Sequence, residues 1–96
     1  MPQINVSVKF FATLKHYFPQ GTLRISLERG ATLEALLNEI NKILTEKNIP
    51  YQITDREYLI LIDGVHISAK KGIHTQLIND CNVTIIPLIH GGYLQF

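Results

Sequence analysis

Two short segments near the start of the chain alternate apolar and polar residues, and this limits the fold more than any other feature. In residues 4–11, Ile4, Val6, Val8 and Phe10 fall on one face, and Asn5, Ser7 and Lys9 on the other. Residues 22–28 repeat the pattern with Leu23, Ile25 and Leu27. Successive side chains of a strand point to opposite faces, so each segment predicts a half-buried strand whose apolar face must be covered. Phe11 breaks the pattern, because it falls on the polar face with Lys9. Between the two strands, residues 12–18 predict a short helix, stopped by Pro19-Gln20-Gly21.

The cover is the next segment. Leu33, Leu36, Leu37, Ile40, Ile43 and Leu44 follow helical spacing and form one apolar stripe. Thr32 is the expected N-cap, and Glu34 suits the positive end of the helix dipole. Lys42 and Lys47 suit the negative end, and Pro50 forbids continuation. About 16 residues at 1.5 Å each give roughly 24 Å. A seven-residue strand is about as long, so one helix can cover the inner face of such a sheet.

The second half predicts three further strands. Residues 58–62, Tyr-Leu-Ile-Leu-Ile, are apolar throughout, as in a central strand buried on both faces. Asp63-Gly64 is a strong hairpin signal, with Val65 to Ser68 as a short return strand. Ile73 to Ile78 read as a 3₁₀ turn or irregular chain, and Asn79-Asp80-Cys81-Asn82 as a turn. Val83 to Leu88 form the last strand, weakened at Pro87. The order is strand, strand, helix, strand, short strand, strand: an α+β sheet with one main crossover helix on one face.

Ninety-six residues allow one domain, and a hydrophobic fraction of 46% against 18% charged residues suits a globular one. The net charge of +1 gives no field that would recruit nucleic acid or an anionic membrane. The single cysteine, Cys81, excludes an internal disulfide and a cysteine-built metal cage. No apolar run approaches the roughly 20 residues that span a bilayer. Met1-Pro2-Gln3-Ile4-Asn5 does not open a secretory signal, so a cytoplasmic location is expected.

Four segments carry a family resemblance. They are Val8-Lys9-Phe10-Phe11-Ala12, the helix entry Ala31-Thr32-Leu33-Glu34-Ala35-Leu36, the Ile62-Asp63-Gly64 hairpin and the ending Pro87-Leu88-Ile89-His90-Gly91-Gly92. Together they resemble the ubiquitin-like sulfur carriers, over residues 4–92. The Phe-Phe-Ala run before a helix-like segment is more similar to the small subunit of molybdopterin synthase than to the thiamine sulfur carrier. The resemblance implies a β-grasp (ubiquitin-like) mixed sheet over residues 1–90. Residues 91–96 would hold the Gly-Gly tail and a four-residue extension. It further implies that an adenylyltransferase of the ubiquitin-activating type uses ATP to adenylate the terminal glycine, and that sulfur then displaces AMP to leave a thiocarboxylate. The charged tail would enter a partner resembling the molybdopterin synthase large subunit. Carried onto this chain, the reactive residue is Gly92, supported by Gly91.

Physical chemistry agrees with such a tail. Glycine has no side chain to obstruct a narrow active site and adopts backbone conformations closed to other residues. Residues 89–92, if extended, reach roughly 13 Å. The carrier then needs no catalytic group, metal or permanently bound cofactor of its own. However, Tyr93-Leu94-Gln95-Phe96 follow Gly92, so its carbonyl is an amide and offers no carboxylate to adenylate. A precursor trimmed after Gly92, as a metalloprotease trims some relatives, is therefore expected. The alternative is a Gly-Gly turn with Tyr93 to Phe96 folding back as a short strand.

Phe11 marks the expected partner surface. Ile86 and Leu88 face away from Val83 and Ile85 on the last strand, and the implied fold sets that strand beside the first. Phe11, Ile86 and Leu88 would then form an apolar patch beside the tail, and His90 reads as a solvated spacer or, alternatively, as a residue that orients the tail in a partner site. The alternative is that residues 12–18 or 93–96 cover the patch. His16, His66, His74 and His90 have no metal-binding spacing. Cys81 lies in the expected turn without a C-x-x-C neighbour and reads as a small buried or half-buried residue rather than a persulfide carrier. Two other functions compete with sulfur delivery: a ubiquitin-like modifier joined through Gly92 to lysines, and a β-grasp interaction module that is never activated.

Overall fold

The computed structural model describes residues 2–88. Strand β1, Gln3–Phe10, buries Ile4, Val6, Val8 and Phe10, as its alternation requires. It pairs antiparallel with β2, Thr22–Glu28, through one unbroken register from Gln3↔Glu28 to Lys9↔Thr22. On β2, Ile25 and Leu27 are buried and Leu23 is half-buried. The link is 3₁₀ rather than α: two short turns, Ala12–Tyr17 and Pro19–Gly21. Leu14 and Phe18 return from it to the core, where the Phe18 ring stacks on Phe10 at 4.7 Å between centroids. Gly21 is required here. Its φ is +69°, and an added Cβ would lie 3.1 Å from Lys15 Cβ and 3.3 Å from the Phe10 carbonyl oxygen.

Helix α1, Leu33–Glu46, is two residues shorter than the expected 16. At its start, Thr32 Oγ1 accepts a hydrogen bond from the Ala35 N–H at 3.2 Å. It ends in a Schellman motif built on Asn48, whose φ is +59°. There the Ile49 N–H bonds the Leu44 carbonyl at 2.9 Å, and the Asn48 N–H bonds the Thr45 carbonyl at 3.0 Å. Leu33, Leu36, Leu37, Ile40 and Leu44 are buried, and Ile43 is half-buried against the same core. Each fully buried side chain of this size contributes about 1.5–3 kcal/mol.

The long connection from α1 to the next strand is held by a residue that sequence reading did not single out. The Asn41 amide grips the backbone of Ile53 on both sides: Nδ2 donates to its carbonyl at 3.0 Å, and Oδ1 accepts from its N–H at 2.7 Å. Ile49 and Ile53 plug into the core along this segment.

Strand β3, Tyr58–Ile62, turns at Asp63 (φ +48°) and Gly64 (φ +82°) into β4, Val65–His66. Two positive φ values in succession are what a two-residue hairpin demands. The return strand is shorter than the expected Val65 to Ser68. The His66 ring accepts the Ser68 N–H through Nδ1 at 2.9 Å and starts a 3₁₀ turn, Ile67–Ala69. A second turn, Gly72–His74, follows. The chain then pairs briefly with the entry to α1, where Leu77 N–H bonds Ala31 C=O and Leu33 N–H bonds Thr75 C=O, both at 2.8 Å.

Strand β5, Cys81–Pro87, starts two residues before the expected Val83. The predicted turn at 79–82 is therefore corrected: Cys81 and Asn82 already pair with Val6 and Ser7. The polar residues that suggest a turn serve as staples. Asp80 accepts the Asn5 N–H at 2.8 Å, and Asp63 accepts the Asn82 N–H at 2.9 Å. The sheet order is β2-β1-β5-β3-β4, with β1 and β5 parallel at the centre and the other pairs antiparallel. This corrects a second expectation. The apolar run 58–62 lies next to the short edge strand, and only Tyr58, Ile60 and Ile62 are buried, while Leu59 and Leu61 are half-buried on the other face. The sequence cannot separate burial under a helix from partial exposure on an apolar patch.

Candidate functional site: the apolar half of the outer face

The inner face of the sheet packs on α1. The outer face divides between its strands. Over β1 and β2 it carries Gln3, Asn5, Ser7, Lys9, Arg24, Ser26 and Glu28. Over β3 and β5 it becomes apolar. Leu59 lies opposite Ile86, and Leu61 opposite Thr84. On the other side of β5, Lys9 lies level with Thr84. The Phe11 N–H continues that ladder to the Ile85 carbonyl at 3.3 Å, which sets Phe11 level with Ile86. Phe11, Ile86 and Leu59 therefore form one row across three strands.

Phe11 is 36% exposed and Leu88 44% exposed, while Ile86 and Leu59 are half-buried. The Ala12–Tyr17 turn sends Leu14 to the core, sets Lys15 and His16 along a hollow beside Phe11, and leaves the Phe11 ring partly exposed. Its geometry explains this: Ala12 has a φ of +58° and turns the chain away as soon as Phe11 is placed. The Lys9 ammonium sits 5.3 Å from the Phe11 ring centroid, a cation–π contact at the rim of the row. Leu88 is anchored where the chain leaves the sheet, its N–H bonding the Glu57 carbonyl at 2.9 Å. Phe11 and Ile86 thus share a face, and Leu59 and Leu61 extend the patch, while Leu88, just past β5, lines a hollow with Pro50, Tyr51 and Tyr58. Nothing in the all-apolar run 58–62 tells which of its two sets of residues faces outward, so the sequence does not mark Leu59 and Leu61. His90, Gly91, Gly92 and the Tyr93–Phe96 extension lie outside the described residues.

Two titratable groups on these strands are shifted, Cys81 and Tyr58, and both lie on the inner side of the sheet, against the core. Cys81 belongs to β5, half-buried, and not to the turn expected from sequence. Burial first, and then Asp63 and Asp80, push its thiol above the ordinary value. That is the opposite of the activated thiolate a persulfide carrier needs. Tyr58 is likewise raised, by burial and then by Glu57 and Tyr51. Among the described residues no cluster of three or more His, Cys, Asp or Glu could hold a metal ion, and no helix is long and apolar enough to cross a membrane.

A mixed five-stranded sheet in this order, crossed by one helix, is the ubiquitin-like β-grasp fold. It overlays on the ubiquitin-like domain of an Arabidopsis thaliana protein with a TM-score of 0.61 at 12% identity, over 99% of this chain and 87% of that one. It also overlays on a putative molybdopterin converting factor subunit 1 from Pyrococcus furiosus: TM-score 0.68, 21% identity, 90% of this chain and 99% of the other. Small archaeal modifier protein 1 from Methanosarcina acetivorans is similar at 25% identity, with a TM-score of 0.64 over 96% of this chain and all 100% of that one. No curated protein matches the chain. The ThiS family model matches residues 8–92. The chain belongs to the ThiS family, within the ubiquitin-like sulfur carriers.

Proposed function

We propose that this protein carries sulfur on Gly92. A protease, in our reading a metalloprotease, severs the peptide bond after Gly92 and frees its carboxylate. A ubiquitin-activating-type enzyme spends ATP to make the acyl-adenylate at that carboxylate. A sulfur donor displaces AMP, leaving a thiocarboxylate that is delivered to an acceptor enzyme for molybdopterin or a related cofactor. The protein holds no cofactor of its own and contributes the tail and the docking surface. One observation supports this reading above others: the Phe11–Ile86–Leu59 row lies beside Leu88, four residues before Gly92. A partner seated on the row would have the tail within reach of its active site. His90 falls between anchor and glycines, where it would orient the tail. The 21–25% identity to a converting-factor subunit and to a modifier is compatible with sulfur delivery and with conjugation alike.

The test is to incubate the chain ending at Gly92 with an activating enzyme, ATP and a sulfur donor. Replacement of one carboxylate oxygen by sulfur, read by intact mass, is expected, whereas the chain that retains Tyr93 stays uncharged. Sulfur loading of the untrimmed chain would overturn the reading. A second reading, protein modification through Gly92, is favoured by the similarity to the Methanosarcina modifier. Isopeptide adducts on lysines of other proteins, without a thiocarboxylate, would select it.

A further inference from the structure

The two edges of the sheet are treated differently. Edge strand β4 is two residues long and dissolves at once into a 3₁₀ turn, which leaves little for another strand to pair with. Edge strand β2 has seven residues, no proline and a register without a bulge. Long unguarded edges invite pairing with a further strand.

The backbone groups available on that edge follow from the β1 ladder. The Arg29 N–H bonds the Pro2 carbonyl at 3.1 Å, and the register continues from Gln3↔Glu28. In an antiparallel pair every second residue turns both backbone groups toward its partner strand. Leu27, Ile25 and Leu23 therefore face β1, while Glu28, Ser26 and Arg24 turn their N–H and C=O outward. The Glu28 carbonyl also accepts the Ala31 N–H at 3.0 Å, which leaves its second lone pair free. Arg24, Ser26 and Glu28 are exposed, and among the described residues no salt bridge involves Arg24 or Glu28.

We infer that β2 pairs antiparallel with β2 of a second copy of this chain, about a two-fold axis through Ser26. The sequence Arg24-Ile25-Ser26-Leu27-Glu28 is complementary to itself in this register. Arg24 lies opposite Glu28 of the second copy, twice over, and Ile25 lies opposite Leu27 on the inner face. Opposite charges and apolar pairs across strands both stabilise such a ladder. Moving the axis to Ile25 or Leu27 sets Arg24 or Glu28 opposite Ser26 and loses the ion pairs. A shift that sets unlike faces opposite each other would break the pleat. Six backbone hydrogen bonds form, two for each of the three outward-facing residues' pairs. The product is a continuous sheet of both copies. β5 and the Phe11 row, which begins one strand in from this edge, stay uncovered, so docking on that row and pairing through β2 can coexist.

The experiment uses the full chain. Facing residues in a hydrogen-bonded pair have Cα atoms about 5.5 Å apart, within disulfide range. Ser26→Cys is oxidised beside a Thr54→Cys control, exposed on a distant loop, with Cys81 present in both. Ser26→Cys is expected to form covalent dimers about tenfold faster than the control. Adding Arg24→Glu, which places like charges opposite each other, should remove that advantage. The charge swap Arg24→Glu with Glu28→Arg should restore it. Unchanged circular dichroism confirms that each variant folds. Equal rates for Ser26→Cys and Thr54→Cys, or a swap that fails to rescue, would overturn the inference. So would sedimentation equilibrium showing a monomer at all concentrations while an extended peptide alone seats on β2.

Discussion

Phe10 and Phe11 are the same side chain one residue apart, and they belong to opposite sides of the sheet. Phe10 is 1% exposed and stacks on Phe18 beneath the helix, while Phe11 is 36% exposed beside Ile86. The inner face holds the fold together. The apolar half of the outer face is only partly covered, with Ile86, Leu59 and Leu61 half-buried. A contiguous apolar patch of this kind is a candidate partner surface. The polar half over β1 and β2 shows that this sheet does not need apolar residues on its outer side.

The largest effect expected from this comparison is on stability. Phe10→Ala should destabilise the fold by about 3–5 kcal/mol, through lost burial and the cavity left behind. Phe11→Ala should stay within about 1 kcal/mol. Urea titration of the two variants reads the contrast directly, and similar losses would mean that Phe11 is part of the core. Phe11→Asp should then weaken binding to the activating enzyme by about 2 kcal/mol or more, with an unchanged melting curve. Ser7→Asp, on the polar half, should leave binding intact. Equal losses at both positions, measured by calorimetry, would remove the distinction between the halves.

Asn41→Ala should destabilise by about 1–3 kcal/mol, because it strands the N–H and carbonyl of Ile53. Hydrogen exchange should rise first across the 47–57 connection. The smallest effect concerns pH. The Cys81 thiol is raised above its ordinary value of 9.0, first by burial. The folded state then holds this proton more tightly than the unfolded one. Its contribution to stability is full below the unfolded value and is lost as pH rises through the higher folded value. Alkylation of Cys81 near pH 8 should be slower in the native protein than in urea, as timed by mass spectrometry.

Much of the fold could be read in the sequence because its cues are local. The period of two in 4–10 and the period near 3.6 in 33–44 each report one buried face. Asp63-Gly64 fixes a turn by its own conformational preference. What escaped is non-local. Asn79-Asp80-Cys81-Asn82 has turn composition, yet Asp80 is engaged by Asn5, 75 residues away in the chain, so the strand starts early. Asn41 looks like any polar helix residue until Ile53 is brought against it. Leu59 and Leu61 were hidden in an unbroken apolar run whose sidedness appears only once β5 is paired to it. For the site, Phe11 was legible as the one apolar residue on a polar face. Its neighbours on β5 needed the parallel β1–β5 pairing.

The most direct test of the central claim is the intact mass of the protein recovered from cells that make its activating enzyme. A chain that ends at Gly92 is expected, part of it with one oxygen replaced by sulfur, and Phe11→Asp should abolish only the sulfur. Protein that always keeps Tyr93 and never gains sulfur would contradict the claim.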